Sequence, residues 1–195
     1  TELGSAINVA TFTIGSSTYA IVIAHDDKFA PAIEDNGVQI IDISDPTNII
    51  ATDAETDEEN GFTELDGAID VDTFTIGSST YAIVVAQDDS GVQIIDISDP
   101  ANIVAKDSET DGENGFDVLY FSYDVDTFTI GSSTYAIVAA RGDNGVQIID
   151  ISDVDNIVAK DSETDGVNGF DVRGLPTDVD TFVIDSSTYA IVTAR

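Results

Sequence analysis

The chain has 195 residues, 42% of them hydrophobic, which suits one or two packed domains and excludes a disordered segment. Its 38 acidic and 6 basic side chains give a formal net charge of −32, which excludes a surface built to neutralise nucleic-acid phosphates or anionic lipid. The absence of cysteine removes disulfides, thiolate metal sites and cysteine nucleophiles, and a lone histidine, His25, excludes a histidine cluster. No apolar run approaches the roughly 20 residues of a membrane helix, so membrane insertion of this chain is not expected. With Thr1 in first place and no methionine, the chain reads as processed or as a fragment.

Along the chain one segment recurs. Asp70, Asp124 and Asp178 mark the same place in copies 54 residues apart, and residues 70–123 and 124–177 match almost letter for letter. The organisation is one repeat array over 1–195, with copies at about 8–69, 70–123 and 124–177 and a partial copy at 178–195. The first copy carries an insertion at 25–36 that holds His25, Lys28, Phe29 and Pro31, with His25 expected as a surface residue.

Four strands are expected per copy, at 71–76, 80–86, 92–98 and 102–107 in the second, each short, β-branched and bounded by Gly, Ser, Asp or Pro. Nothing reads as a helix. On the second strand Tyr81, Ile83 and Val85 alternate with Ala82, Val84 and Ala86, so both faces are apolar, as in a sheet packed between two others. Gly15, Gly77 and Gly131 give way to Asp185 at the matching place, which predicts a turn at positive φ between the first two strands. Asp88 to Gly91 and Gly142 to Gly145 are turn chemistry for a second hairpin, and Ser98-Asp99-Pro100 for a third. The expected fold is all-β and β-propeller-like: tandem four-stranded blades, three complete repeats plus a half repeat. Propellers close with about four to eight blades, so this chain does not close a ring alone. Its open edges require a partner, either other copies of itself or further repeats of a longer chain.

The segments GVQIIDISDPTN at 37–48 and GVQIIDISDPAN at 91–102, each preceded by a small-aromatic-aliphatic strand and an acidic turn, resemble the LVIVD-repeat family of β-propellers. The copy at 145–156 departs from the motif, with Val154 in place of proline. The resemblance implies a secreted or cell-surface propeller-like domain and transfers no catalytic residues.

In an up-and-down blade the loops joining strands one to two and three to four emerge at one end, and the remaining loops at the other. The first end is built from near-constant GSS and SDP turns; the second carries what varies, namely the insertion, Leu119 to Tyr123 and Arg173 to Thr177. The same end collects carboxylates. Asp107, Glu109, Asp111 and Asp117, and their copies Asp161, Glu163, Asp165 and Asp171, alternate ahead of a glycine in the manner of a loop that wraps calcium, whereas Asp53, Glu55 and Asp57 precede Glu58 and are expected to bind more weakly. The competing reading is a solvated acidic turn. Asp42, Asp45, Asp96 and Asp99 are expected to cap turns, Phe62, Phe116 and Phe170 to pack between blades, and Tyr120, Phe121 and Tyr123 to pack there or to offer an aromatic platform for a surface glycan or protein.

Near-identical copies favour a structural array over a catalytic site, which needs unlike residues converging at one place. The expected function is therefore a non-catalytic extracellular or cell-surface module, a scaffold, adhesin or surface-layer or filament component, stiffened by calcium. The alternative is a carbohydrate-binding module or a carboxylate-based enzyme using the variable end.

Overall fold

A computed structural model describes residues 5–25, 36–171 and 174–195 and contains strands and turns, with no helix among them. Three sheets of four antiparallel strands follow one another in strict chain order. They are β1 (Ala6–Ile14), β2 (Ser17–Ala24), β3 (Gly37–Asp42) and β4 (Ile50–Thr56); then β5 (Ala68–Ile76), β6 (Ser79–Ala86), β7 (Gly91–Asp96) and β8 (Val104–Thr110); then β9 (Ser122–Ile130), β10 (Ser133–Ala140), β11 (Gly145–Asp150) and β12 (Val158–Thr164). A two-stranded sheet, β13 (Pro176–Ile184) and β14 (Ser187–Ala194), ends the series. Residues 26–35, most of the insertion, and Val172 and Arg173 lie outside the described residues.

The strands differ from expectation at their ends for local reasons. Each first strand starts earlier, because it runs through a β-bulge: Ala68 pairs with Ala86 and Asp70 with Val85, leaving Ile69 extra. The third strand stops at Asp96, whose Oδ1 accepts the Ser98 N–H at 2.9 Å. Asp99 likewise accepts the Ala101 N–H at 3.1 Å, and that turn delays β8 to Val104. Asp42 and Asp45 cap the same turns one copy earlier, at 2.8 and 2.9 Å to the Ser44 and Thr47 amides. Gly15, Gly77 and Gly131 do sit at positive φ, and Asp185 joins them at 57°.

Packing between sheets explains the two-sided apolar pattern of the second strand. Ile21 and Ile23 of β2 face forward onto Ala82 and Val84 of β6, and Ile83 and Val85 face forward in turn onto Ala136 and Val138 of β10. Phe62 and Phe116 are fully buried wedges at these two junctions, while Phe170 is partly buried at the third. First strands succeed one another along the inner side, β1 on β5, β5 on β9 and β9 on β13. The result is an open propeller arc with a bare face at each end.

Candidate functional site

The innermost strands carry a feature that spacing alone did not disclose. Asp70 Oδ2 accepts the Val125 N–H at 2.8 Å, and Asp124 Oδ2 accepts the Val179 N–H at 2.7 Å. Asp72 and Asp126, two residues on, accept the amides of Thr127 and Thr181 at 2.9 and 2.7 Å. A first strand has one edge bare of sheet partners, so the second and third blades supply carboxylates to the edge amides of the sheet that follows. The bulge directly before Asp70 and Asp124 re-aims these side chains across the junction. The Asn8 amide donates to Asp70 Oδ1, and Asp70 is hydrogen-bonded to Asp124, so Asn8, Asp70 and Asp124 form one chain along the inner strands. Burial pushes Asp70, Asp72 and Asp124 above the usual carboxylate range, and Asp70 beside it raises Asp124 further.

A second set of carboxylates works the outer rim. Asp53 Oδ2 accepts the Ile103 N–H at 2.7 Å and Asp107 Oδ2 the Ile157 N–H at 2.8 Å, each reaching the following blade. These belong to the residues expected to wrap calcium, and the structure distributes that set differently. Asp107 and Glu109 lie in β8 and Asp161 and Glu163 in β12, not in a loop. Glu55, Glu109 and Glu163 accept from Asn60, Asn114 and Asn168 at 2.8, 2.9 and 2.7 Å. Asp57 and Asp111 accept the amides of Leu65 and Leu119 at 3.0 and 2.9 Å. Asp165 and Asp171 lie in the turn region after β12. Among the described residues no group of three or more His, Asp or Glu side chains is arranged to hold a metal ion. Asp117 and Asp161 border a common cavity, of about 320 Å³, at the junction of the second and third blades.

The turn without glycine keeps the backbone of its copies. Glu58 takes φ 62°, beside 79° at Gly112 and 82° at Gly166, because the flanking bonds Asp57 N–H to Asn36 O at 3.0 Å and Phe62 N–H to Glu59 O at 2.8 Å hold the turn whatever residue occupies it.

The variable end is acidic and in part buried. Glu64 stands where the next copy has Val118; its Oε1 accepts the Thr110 hydroxyl at 2.7 Å, and its Oε2 is buried without a partner. Burial, with Asp89, Asp57 and Glu113 nearby, pushes Glu64 up to about 7, and burial pushes Asp89 up to about 6. Further round, Tyr120 is exposed, its ring 6.3 Å from that of Phe121, and Arg141 lies over the Tyr123 ring at 5.4 Å. His25 is half-buried at the edge of the insertion.

Comparison with known proteins fits this geometry. A family model described as the LVIVD repeat matches residues 32–52, 78–111 and 132–162. No curated protein matches the sequence. Among solved structures, an exo-β-1,3-galactanase from Phanerochaete chrysosporium is similar with a TM-score of 0.62 and 11% identity over 98% of this chain and 44% of that one. A glycoside hydrolase family 32 β-fructofuranosidase from Bombyx mori gives 0.58 and 14% over 96% and 42%, and a family 117 glycoside hydrolase from Zobellia galactanivorans gives 0.55 and 11% over 96% and 59%. The chain spans less than half the length of the first two, and the likeness is one of β-propeller fold.

Proposed function

We propose, from the premise that the chain belongs to the LVIVD-repeat family, that it is a non-catalytic extracellular or cell-surface propeller module whose two bare faces are taken by further blades of the same repeat. The observation that carries this is the identity of the bare faces with the buried ones. Val9 is 55% exposed on the first blade, while Val71, Val125 and Val179, at the same place behind a preceding blade, are 4–5% exposed. At the other end Tyr189 is 48% exposed, against 9% for Tyr81, which the following blade covers. Phe182 and Ile191 beside Tyr189 are exposed as well. The two ends are thus the two halves of a contact that the chain already makes three times. The repeated carboxylates support the same reading, since they are engaged as acceptors for the amides of the next blade, a structural use.

Sedimentation of the 195-residue chain tests this. Concentration-dependent association is expected, abolished by Val9→Glu and by Tyr189→Glu with the strand signal of circular dichroism intact. A monomer at all concentrations would overturn it.

A second reading, a carboxylate-based glycoside hydrolase or a carbohydrate-binding module, draws on the hydrogen-bonded Asp70 and Asp124 and on the enzymes that share the fold. Hydrolysis of an oligosaccharide that Asp124→Asn abolishes without loss of fold would establish it over the scaffold.

A further inference from the structure

One exchange between copies changes the hydrogen bonding of a junction. Between the first and second blades the Thr63 N–H donates to Gln93 Oε1 at 3.2 Å, and the Thr63 hydroxyl is hydrogen-bonded to that of Ser108 at 3.1 Å. Between the second and third blades Asp117 stands in place of Thr63, Gln147 in place of Gln93 and Ser162 in place of Ser108. Gln147 is 1% exposed and still donates from Nε2 to the carbonyls of Ile148 and Asp161 at 3.2 and 2.9 Å, but its Oε1 is buried without a partner. Neither the Asp117 carboxylate nor the Ser162 hydroxyl bonds to another described residue. At this junction lies a cavity of about 320 Å³, bordered by Asn114, Asp117, Gln147, Lys160, Asp161 and Ser162.

An acidic residue alone would say little here; Gln147, whose Oε1 is buried without a partner, borders the same cavity and makes the difference. A carboxylate, an amide oxygen and a hydroxyl on one cavity are hard oxygen ligands, and the Lys160 ammonium is held by Asp150 Oδ2 at 3.3 Å. The Asn114 amide nitrogen is committed to Glu109 at 2.9 Å, which leaves its oxygen for the cavity. We propose that this junction binds one calcium ion, with the Asp117 carboxylate as anionic ligand, Gln147 Oε1 and the Ser162 hydroxyl as neutral ligands, and water completing the shell. A single close carboxylate places the affinity in the weak class, with a dissociation constant of about 10⁻⁴ to 10⁻³ M, as in extracellular modules. The site acts only where calcium is that abundant, so in this respect it rests on the exterior location proposed above. The ion would tie the loop after β8 to β11 and β12, as Thr63 does without an ion one junction earlier.

The test is thermal unfolding of the full chain in calcium chloride and in sodium chloride at equal ionic strength, with calorimetric titration of calcium. The wild type should gain more in calcium than in sodium and bind one ion. Asp117→Thr, which rebuilds the first junction, should melt higher without calcium and lose the calcium-specific gain. Asp117→Asn, nearly isosteric at an exposed position, should lower affinity at least tenfold and keeps the test open if the threonine variant misfolds. Equal shifts in calcium and sodium would show screening alone and overturn the proposal, as would a calcium-specific gain that survives both substitutions. Neither result touches the association experiment, so the site and the module's role stand or fall separately.

Discussion

The carboxylate of Asp72 takes both the N–H and the hydroxyl of Thr127, at 2.9 and 2.6 Å, across the junction between the second and third blades. Asp126 makes the amide half of this bond to Thr181 one blade later, at 2.7 Å. Asp180 occupies the same position on β13 and is exposed. The ladder of carboxylates is thus a device for joining the second blade to the third and the third to the last sheet, whereas the first blade carries Asn8 and Ala10 at these places.

Asp72→Ala should therefore destabilise the chain by about 1–3 kcal/mol, since it strands two donors in a half-buried junction. For a chain of this size that is roughly 5 °C in melting temperature. Asp180→Ala, the same substitution without a blade to serve, should leave the melting temperature of the dilute chain within about 1 °C. Equal losses at the two positions would show that the carboxylates act within their own strands and not across junctions.

Much of the arc was legible in the sequence because its signals are local. Alternating apolar residues on the second strand gave two buried faces, and Asp185 in a glycine slot gave a positive-φ turn. The inter-blade carboxylates escaped notice because their partners lie 50 or 55 residues away and are backbone amides, which leave no mark in side-chain chemistry. The signal that could have found them is the Asp-Val-Asp on every first strand after the first copy: acids alternating on an inner strand need a use. Asp107, Glu109 and Asp111 admit two readings for a related reason, since alternation is the spacing of a calcium loop and also the period of a strand. β7 pairs with β8 through Thr110, which sets Asp107 and Glu109 on a strand and Asp111 just beyond it.

The turn at Glu58 offers a stability gain. A non-glycine residue in the left-handed region costs about 1 kcal/mol, and the two later copies avoid this with Gly112 and Gly166. Glu58→Gly should raise the melting temperature by roughly 2–4 °C. Gly112→Glu should lower it by a similar amount, and no change in either variant would mean that the turn relaxes to suit its occupant.

Tyr81 and Tyr189 test the end faces from within. Both stack on the phenylalanine of the preceding strand, Phe74 and Phe182, with centroids 5.6 and 5.7 Å apart, but only Tyr81 is covered by a following blade. Tyr81→Ala should cost about 3–5 kcal/mol at any concentration. Tyr189→Ala should cost little in dilute solution and more as the chain associates, so a concentration-independent loss at Tyr189 would count against the face as a docking surface.

Glu64 sets a pH dependence whose sign can be worked out. Its Oε2 lies where a Cβ on Gly91 would be, 2.0 Å from that position, in the slot that Val118 occupies beside Gly145 one blade later. Burial raises Glu64 to about 7, above the ordinary value of 4.5, so the folded chain holds this proton more tightly than the unfolded one. The stability linked to it is complete below pH 4.5 and is lost as pH rises through about 7. Asp89, raised to about 6, and Asp70, Asp72, Asp124 and Asp143, also raised by burial, act in the same direction. Asp42, Asp45 and Asp150, lowered by hydrogen bonds from Ser44, Thr47 and Ser152, act oppositely and lose their contribution in stronger acid. The chain should accordingly melt highest near pH 5 and lower at pH 8. Glu64→Val, which installs the residue of the next copy, removes an unpartnered buried oxygen and should raise the melting temperature at pH 8 by about 5 °C while changing it little at pH 5. Melting curves of the two proteins that stay parallel between pH 5 and 8 would show that Glu64 does not titrate in that window.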